Sequence, residues 1–452
     1  MIHKTIQEIK QMVNGEYTGS DDRMICGVTI DSRTVEENML YIPLIGARAD
    51  GHSFIDSVIE KKAAAVLWQK DHKDVPEGIP CILVEDTQKA LQQLAKAYLE
   101  TLNCKIIGIT GSNGKTSCKD MMYSVFSKEK KTQKTQGNRN NEIGLPLTIL
   151  DFDEDIEVAV LEMGMENWGE IEFLTSIARP DIAVITTIGS AHKENLGGKL
   201  QIAQAKLEIL QNMNPEGLFL YHKDSPEIEQ AMKDMNYSKD IEIQSFGKKA
   251  DVMVTSDIEF TGNSMRFSCN LLDEPVELNA LGEVMAYNAL PVIAAAKHEG
   301  ISNQSILTGL KELEMTRMRT QLISIKSAKI LDDSYKSNPE SAMAAIDTLM
   351  SIPAAKHIAV LADMLDLGED ENELHAGIGR YAAAKHVDLL YCTGPLSKHT
   401  ANKADMDAVW FASKDAIVND LKSYLDQDVV ILVKGSRAMA MDTIVRDLQE
   451  DK

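Results

Sequence analysis

The sequence predicts an α/β protein built from three domains, and three observations carry that expectation. At 452 residues the chain exceeds what one core usually serves, since domains run to roughly 100 to 200 residues. Short apolar runs alternate with helical stretches over most of its length, the succession that lays down mainly parallel sheets. The alternation also restarts near Lys105 and again near Gln321. This divides the chain into a small mixed α/β unit at 1–103, a central mainly parallel unit at 104–314 and a small doubly wound unit at 315–452.

Taken in order, MIHKTIQEIKQMV places Ile2, Ile6, Ile9 and Val13 at helical spacing. With a Thr5-x-x-Glu8 capping box, it predicts a helix that opens a folded domain rather than an export signal. The β-type runs GVTI, MLYIPL, AAVLW and CILV follow, and the helical stretch DTQKALQQLAKAYLETL closes the first unit. The second opens as strand, loop and helix in KIIGIT-GSNGKT-SCKDMMYSVFSK and continues through strands at EVAVLEM, DIAVITTIG and GLFLY. A β-rich stretch from about 241 to 280 and two helices to about 314 complete it. In the third, KILDD, KHIAVLAD, VDLLYCTG and VVILVKG alternate with helices.

Composition narrows the partners. Apolar residues make up 44% and charged residues 26%, a globular balance. Lys and Arg number 47 against 69 Asp and Glu, a formal charge of −22, so neither nucleic acid nor an anionic membrane is an expected partner. An anionic ligand must instead be held by local groups. The basic cluster from Lys128 to Arg139 reads as a solvated helix end and loop. Apolar runs such as Ala63 to Trp68 fall far short of the roughly 20 residues a spanning helix needs, so no membrane insertion is expected. The cysteines at 26, 81, 104, 118, 269 and 392 have neither zinc nor disulfide spacing, which fits a reducing cytoplasm.

The chemistry-bearing signal is Thr110-Gly111-Ser112-Asn113-Gly114-Lys115-Thr116, between an apolar strand and a helix that continues with Ser117. Glycines let backbone N–H groups converge on phosphate oxygens, and the helix N-terminus adds positive partial charge. Lys115 reaches the terminal phosphates, and the Thr116 hydroxyl can ligate Mg²⁺. Ile109 stands where the standard motif has its first glycine, so only the G-K-T core and its setting match. Such a loop serves kinases, motors, GTPases and ligases alike. Glu162, at the end of EVAVLEM, puts a carboxylate at the same sheet edge, where Mg²⁺ bound to ATP would sit. His192 leaves that edge too. Lys206, on an amphipathic helix, would by pattern alone be a surface lysine.

Together with GVTIDSR (27–33), IPLIGARADGHSF (42–54), TQGNRNNEIGLP (135–146), LEMGM (161–165), IGSAHKENLG (188–197), AQAK (203–206), LDDSYKSNPES (331–341), LADMLDLG (361–368) and LVKGSRAM (432–439), these residues resemble the ATP-dependent Mur ligase family over essentially the whole chain. The resemblance implies a uridine-nucleotide domain, a central P-loop ATPase-like domain and a C-terminal Rossmann-like domain that closes on ATP and the incoming amine. It implies a cytoplasmic monomer that uses ATP and Mg²⁺ to join UDP-MurNAc-tripeptide to D-alanyl-D-alanine through an acyl phosphate. By motif match, Lys115, Lys206 and His192 carry catalysis, with Lys206 bearing a carbamate. Thr110 to Ser117, Asn288, Arg319 and Asp333 hold ATP, while Thr116, Glu162, His192 and Lys206 are associated with the metal. Ser32, Arg33, Asp50, Gly51 and His52 match the uridine and diphosphate end, Asn138 and Asn141 the sugar-peptide strand, and Asn338 and Asp363 the dipeptide.

The chain departs from the family pattern at three places. Val284 and Met285 interrupt the usual G-x-H-N-x-x-N, of which Gly282 and Asn288 remain, and this puts an adenine contact in doubt. Lys336 replaces an Asn of DDSYNANP, and Ala362 stands in the usual LGDM. Two other readings differ in what they require. A folate-extending relative would lack the DSR and DGHSF blocks, and a nucleotide-binding scaffold would release no ADP.

Overall fold

The computed structural model describes residues 1–17, 19–47, 49–190 and 193–450. Among them, no helix is long and apolar enough to cross a membrane, and all six cysteines are unpaired.

The first part of the chain carries a four-stranded parallel sheet in sequence order: Val28–Thr29, Leu40–Tyr41, Ala65–Gln69 and Cys81–Val84. The opening helix is shorter than its periodicity suggests. It spans Ile6–Met12 with the capping box formed, whereas His3–Thr5 is a strand paired antiparallel with Met24–Cys26. Ile2 is fully buried all the same, so it shares the core-facing pattern without being helical. The helix Thr87–Thr101, capped by Asp86, buries Leu91, Leu94 and Tyr98. The Tyr98 hydroxyl donates to the Phe152 carbonyl at 2.7 Å, so this helix joins the first unit to the second across one continuous core.

The central sheet has seven parallel strands. Lys105–Thr110 lies between Ile182–Ile185 and Val158–Glu162, with Thr110 opposite Ile185 and Ile109 opposite Glu162. The chain leaves this strand toward both sides, which makes its C-terminal end the switch point where α/β sheets bind ligands. A three-stranded antiparallel sheet spanning Glu259–Leu278 and the helices Glu283–His298 and Asn303–Lys311 complete the region. The basic cluster is neutralised rather than simply solvated. Lys128 pairs with Glu312, Lys130 with Glu157, Lys131 with Asp153 and Asp155, Lys134 with Asp120 and Arg139 with Asp151.

In the third part, Ala328–Asp333, Val429–Lys434, Lys356–Ala362, Leu389–Thr393 and Ala408–Phe411 are parallel in that spatial order. An antiparallel edge strand, Gln321–Ile325, pairs with the first of them and escaped the sequence reading. Separate apolar clusters cover the two faces, one around Leu331, Leu361 and Leu432 and the other around Ile330, Val360 and Ile431. This is the doubly wound arrangement expected from the alternation.

One buried carboxylate ties the second part to the third. Asp120 accepts from Lys134 Nζ at 2.7 Å and from the Thr316 backbone N–H at 2.9 Å, with Lys119 Nζ 3.5 Å away. Burial alone would raise its pKa, but Lys119 and Lys134 hold it below the ordinary value. Its contribution to stability is therefore complete above about pH 4 and is lost as pH falls through the lower folded value. Asp120→Ala strands two buried or half-buried lysines and is expected to destabilise the fold by about 3 kcal/mol. An unchanged denaturation midpoint would contradict this.

Candidate active site

At the switch point the phosphate loop is shaped by close backbone approach. Gly111 has φ of 148°, and a Cβ there would lie 1.9 Å from Thr186 Oγ1. Gly114 has φ of 85°, and a Cβ there would lie 2.6 Å from Asn288 Oδ1. Ser112 N–H donates to the Thr187 carbonyl at 2.8 Å, and Ser112 Oγ accepts from Gly189 N–H at 2.9 Å. The loop is thus fastened to the next strand's end. The helix Lys115–Phe126 begins with no side-chain cap, leaving its first N–H groups available to an anion. Thr110 Oγ1 is buried without a partner among the described residues, and Ser117 lies buried in the helix's first turn.

Lys115 Nζ donates to the Gly111 carbonyl at 2.7 Å. Burial pushes its pKa down to about 8; Glu162 opposes the shift, whereas Lys336 and Arg319 add to it. Glu162 is 3% exposed and accepts from Thr116 Oγ1 at 2.9 Å and from Asn140 Nδ2 at 2.8 Å. Both donors are neutral, and Glu162 has no ion pair among the described residues. A buried carboxylate in that state, beside a hydroxyl, is a donor set suited to a hard divalent cation. His192 lies outside the described residues.

Lys206, in the last turn of the helix Lys199–Leu207, is 2% exposed. The ordinary alternative, a salt bridge to Glu208 or Glu194, does not form. Glu208 is occupied by the backbone N–H groups of Gly169 and Glu172, and Lys206 has no hydrogen bond or ion pair among the described residues. Burial pushes its pKa well below the usual lysine range, and the charges of Lys115 and Lys336 add to this.

A cleft of about 700 Å³ joins Lys115, Thr116 and Glu162 to residues from later in the chain. Arg319 stacks on the Tyr335 ring, 4.3 Å from its centroid, with Nε buried and unpartnered. Asp333 accepts from Thr320 N–H at 3.1 Å and from the buried Lys434 ammonium at 2.6 Å. Asn288 lines the same cleft, its amide 3.9 Å from the Met285 sulfur; Val284 points largely to solvent. The cleft has the size and mixed charge that a nucleoside triphosphate requires.

The N-terminal candidates form a separate group. Asp50 caps the short helix Gly51–Phe54, and its carboxylate lies 2.7 Å from His52 Nδ1 and 3.2 Å from His72 Nε2. A side chain at 51 would meet the backbone of Leu44 and Pro43. Arg33 is 88% exposed and pairs with Asp31, while Lys61 holds the carbonyls of Ser32 and Arg33. A second cavity, of about 730 Å³, lies between this part and the central sheet, bordered by Gln69, Lys89, Asn141 and Trp168. The segment Gly137–Asn141 separates the two spaces, with Asn138 and Asn140 on the cleft and Asn141 on the second cavity.

Asn338 and Asp363 have structural partners. Asn338 caps the helix Pro339–Ser351 and exchanges amide hydrogen bonds with Asn113 of the phosphate loop. Asp363 is buried and accepts from the backbone and hydroxyl of Ser397, both at 2.7 Å. Sequence reasoning passed over Asn140, Lys434 and Tyr335, although each lies inside or beside a quoted motif. What singles them out is contact with Glu162, Asp333 and Arg319, which spacing does not display.

A three-domain α/β chain with this loop at its sheet switch point is a nucleotide-dependent enzyme by architecture, and comparison with known proteins gives the family. Residues 24–99 match "Mur ligase family, catalytic domain", residues 109–296 "Mur ligase middle domain" and residues 318–437 "Mur ligase, glutamate ligase domain". The chain belongs to the Mur ligase family. Among its relatives, the UDP-N-acetylmuramoyl-tripeptide–D-alanyl-D-alanine ligases of Bacillus subtilis and Escherichia coli are 38% and 30% identical, each over 100% of this chain and 99% of its own length. A MurF from Acinetobacter baumannii superimposes with TM-score 0.90 at 28% identity, covering 100% of this chain and 99% of its own. MurF ligase from Thermotoga maritima, solved with ADP, gives 0.84 at 26% identity over 94% and 97% of the two chains.

Proposed function

We propose that this protein uses ATP to join D-alanyl-D-alanine to UDP-MurNAc-tripeptide, yielding UDP-MurNAc-pentapeptide for peptidoglycan, as a monomer in the cytoplasm. The observation carrying the reading is the meeting of Lys115, Thr116 and Glu162 with Arg319 and Asp333 of the third domain in one cleft at the switch point. Full-length similarity to ligases named for that reaction supports it. In this reading residues 1–103 hold the uridine nucleotide, 104–314 hold ATP, and 315–452 close over ATP and the dipeptide.

The tripeptide carboxylate attacks the γ-phosphorus, ADP departs, and the amine of D-alanyl-D-alanine then displaces phosphate from the acyl phosphate to form the amide. All the reacting groups but the amine are anionic, so the protein must neutralise and align them. Residues Thr110 to Ser117 cradle the phosphates with Lys115 at the terminal one. Arg319, Asp333 and Asn288 hold the adenosine. Thr116, Glu162, His192 and a carbamate on Lys206 suit Mg²⁺, which when bound supplies charge neutralisation at the phosphates. Ser32, Arg33 and Asp50 to His52 serve the nucleotide end of the acid substrate. Asn138 and Asn141, flanking the boundary between the two cavities, serve its sugar and peptide, and Asn338 and Asp363 contribute to the dipeptide side chiefly by fixing their loops.

Product mass from purified protein, ATP, D-alanyl-D-alanine and a UDP-MurNAc-tripeptide ending in lysine or diaminopimelate tests the reading. A pentapeptide mass with stoichiometric ADP is expected, and ADP release without it would refute the assignment. We also expect the third domain to swing as a unit. X-ray scattering should show a smaller radius of gyration with ATP analogue, UDP-tripeptide and D-alanyl-D-alanine together, because closure shields a hydrolysable acyl phosphate from water. An unchanged radius at saturation would count against the swing.

A further inference from the structure

Lys336 is an exposed lysine of the third domain that lines the nucleotide cleft. It lies in the loop between the strand Ala328–Asp333 and the helix Pro339–Ser351. Both flanks of this loop are pinned. The Lys434 ammonium, itself 1% exposed, donates to the Lys336 carbonyl at 2.8 Å and to Asp333 at 2.6 Å, and two residues on Asn338 is bonded to Asn113 of the phosphate loop. In this conformation the backbone at 336 is therefore held beside the phosphate loop.

The Lys336 side chain is exposed into the same cleft that Lys115, Thr116 and Glu162 line. Its ammonium meets no acceptor among the described residues, whereas Lys434, which lines the cleft beside it, is paired with Asp333. In a chain carrying 69 acidic residues against 47 basic ones, an unpaired lysine in a cleft is conspicuous. Lys115 and Lys206, already pushed down by burial, are pushed further by the positive charge of Lys336. Lys115 and Lys336 line one cleft, and a polyanion between two like charges relieves their repulsion.

We propose that Lys336 is a catalytic residue contacting the transferring phosphoryl group, a cation that the third domain delivers to the γ-phosphate of ATP and then to the acyl phosphate. This rests on the function proposed above. Lys336 changes no bond. It donates to non-bridging phosphoryl oxygens while the oxygen–phosphorus bond to ADP breaks and the bond to the substrate carboxylate forms. The role is that of a cationic finger supplied from a separate domain, so docking and charge neutralisation become one event. The alternative anion is the carboxylate of the incoming dipeptide. The phosphoryl group is favoured because Lys336 lines the same cleft as Lys115 and Thr116, and its loop is bonded to the phosphate loop through Asn338 and Asn113.

The test titrates Mg·ADP and Mg·β,γ-methylene-ATP calorimetrically into full-length wild type, Lys336→Gln and Lys336→Arg, with steady-state ligation measured alongside. Lys336→Gln should bind ADP within about twofold of wild type, lose about tenfold or more for the triphosphate analogue, and drop in kcat on the order of 10²-fold. Lys336→Arg should keep most of both. Equal losses for both nucleotides, or none, would overturn the proposal, as would a defect confined to KM for D-alanyl-D-alanine, which would put the lysine at the dipeptide carboxylate. Because the side chain is exposed, an unaltered melting temperature is expected for Gln, and Lys336→Asn provides a second variant. If wild type makes no pentapeptide, the function reading fails, while the difference between the two nucleotides still judges Lys336.

Discussion

Lys115→Ala is expected to lose ligation by on the order of 10³-fold or more while remaining folded. Among the described residues the side chain donates only to the Gly111 carbonyl, and its charge is held at a pKa of about 8 by burial that the nearby Glu162 does not fully offset. A bound triphosphate supplies that compensation and raises the pKa again. Nucleotide binding should therefore take up a proton near and above pH 8, and affinity should weaken as pH rises through that range. The alanine variant removes the cation opposite the transferred group but leaves the glycine turns and the helix N-terminus in place, so residual nucleotide binding is expected. A variant that is folded by circular dichroism yet ligates within tenfold of wild type would remove the phosphate-loop assignment.

Lys206→Ala is expected to be nearly inactive and to recover part of its activity in millimolar formate or acetate. Lys206 is almost fully buried with no carboxylate partner among the described residues, and burial together with the charges of Lys115 and Lys336 pushes its pKa well below the usual lysine range, which favours the neutral amine. Such an amine can capture CO₂. The carbamate would reverse the local charge from repelling Mg²⁺ to ligating it. A small carboxylic acid diffusing into the space vacated by the alanine substitution replaces the lost oxygens. Failure of every small acid to rescue, with wild-type turnover insensitive to bicarbonate depletion, would remove this role and leave Lys206 as an electrostatic group only.

Much of this architecture was legible because parallel sheets buried on both faces write themselves as continuous apolar runs. EVAVLEM and VVILVKG each became a strand within a residue of its reading, and DIAVITTIG a shorter one that ends at Ile185. Elements with little apolar signal were missed. His3–Thr5 is too short and polar to display a period, and Gln321–Ile325 is a half-exposed edge whose pairing is decided by the strand beside it. At the site, Lys115, Thr116 and Glu162 could be placed because a loop and two adjacent strand ends fix them. Lys434 could not, because its partners Asp333 and Lys336 lie about a hundred residues away in the chain. Lys206 shows the limit most clearly, since its pattern reads as surface and only tertiary packing buries it.

The bond from Thr316 N–H to Asp120 marks the expected fulcrum of the swing proposed for the third domain. Asp120 sits on the helix Lys115–Phe126, whose first turn is the phosphate loop's end, so fulcrum and phosphate site share one rigid rod. Arg319 lies only three residues beyond that point in the chain, so the proposed swing is expected to move it little, whereas the bond between Asn338 and Asn113 is expected to part on opening. Opening would then leave the Arg319 side of the nucleotide cleft nearly in place while drawing Lys336 away from the phosphate loop, so that one hinge would gear nucleotide loading and phosphoryl transfer differently.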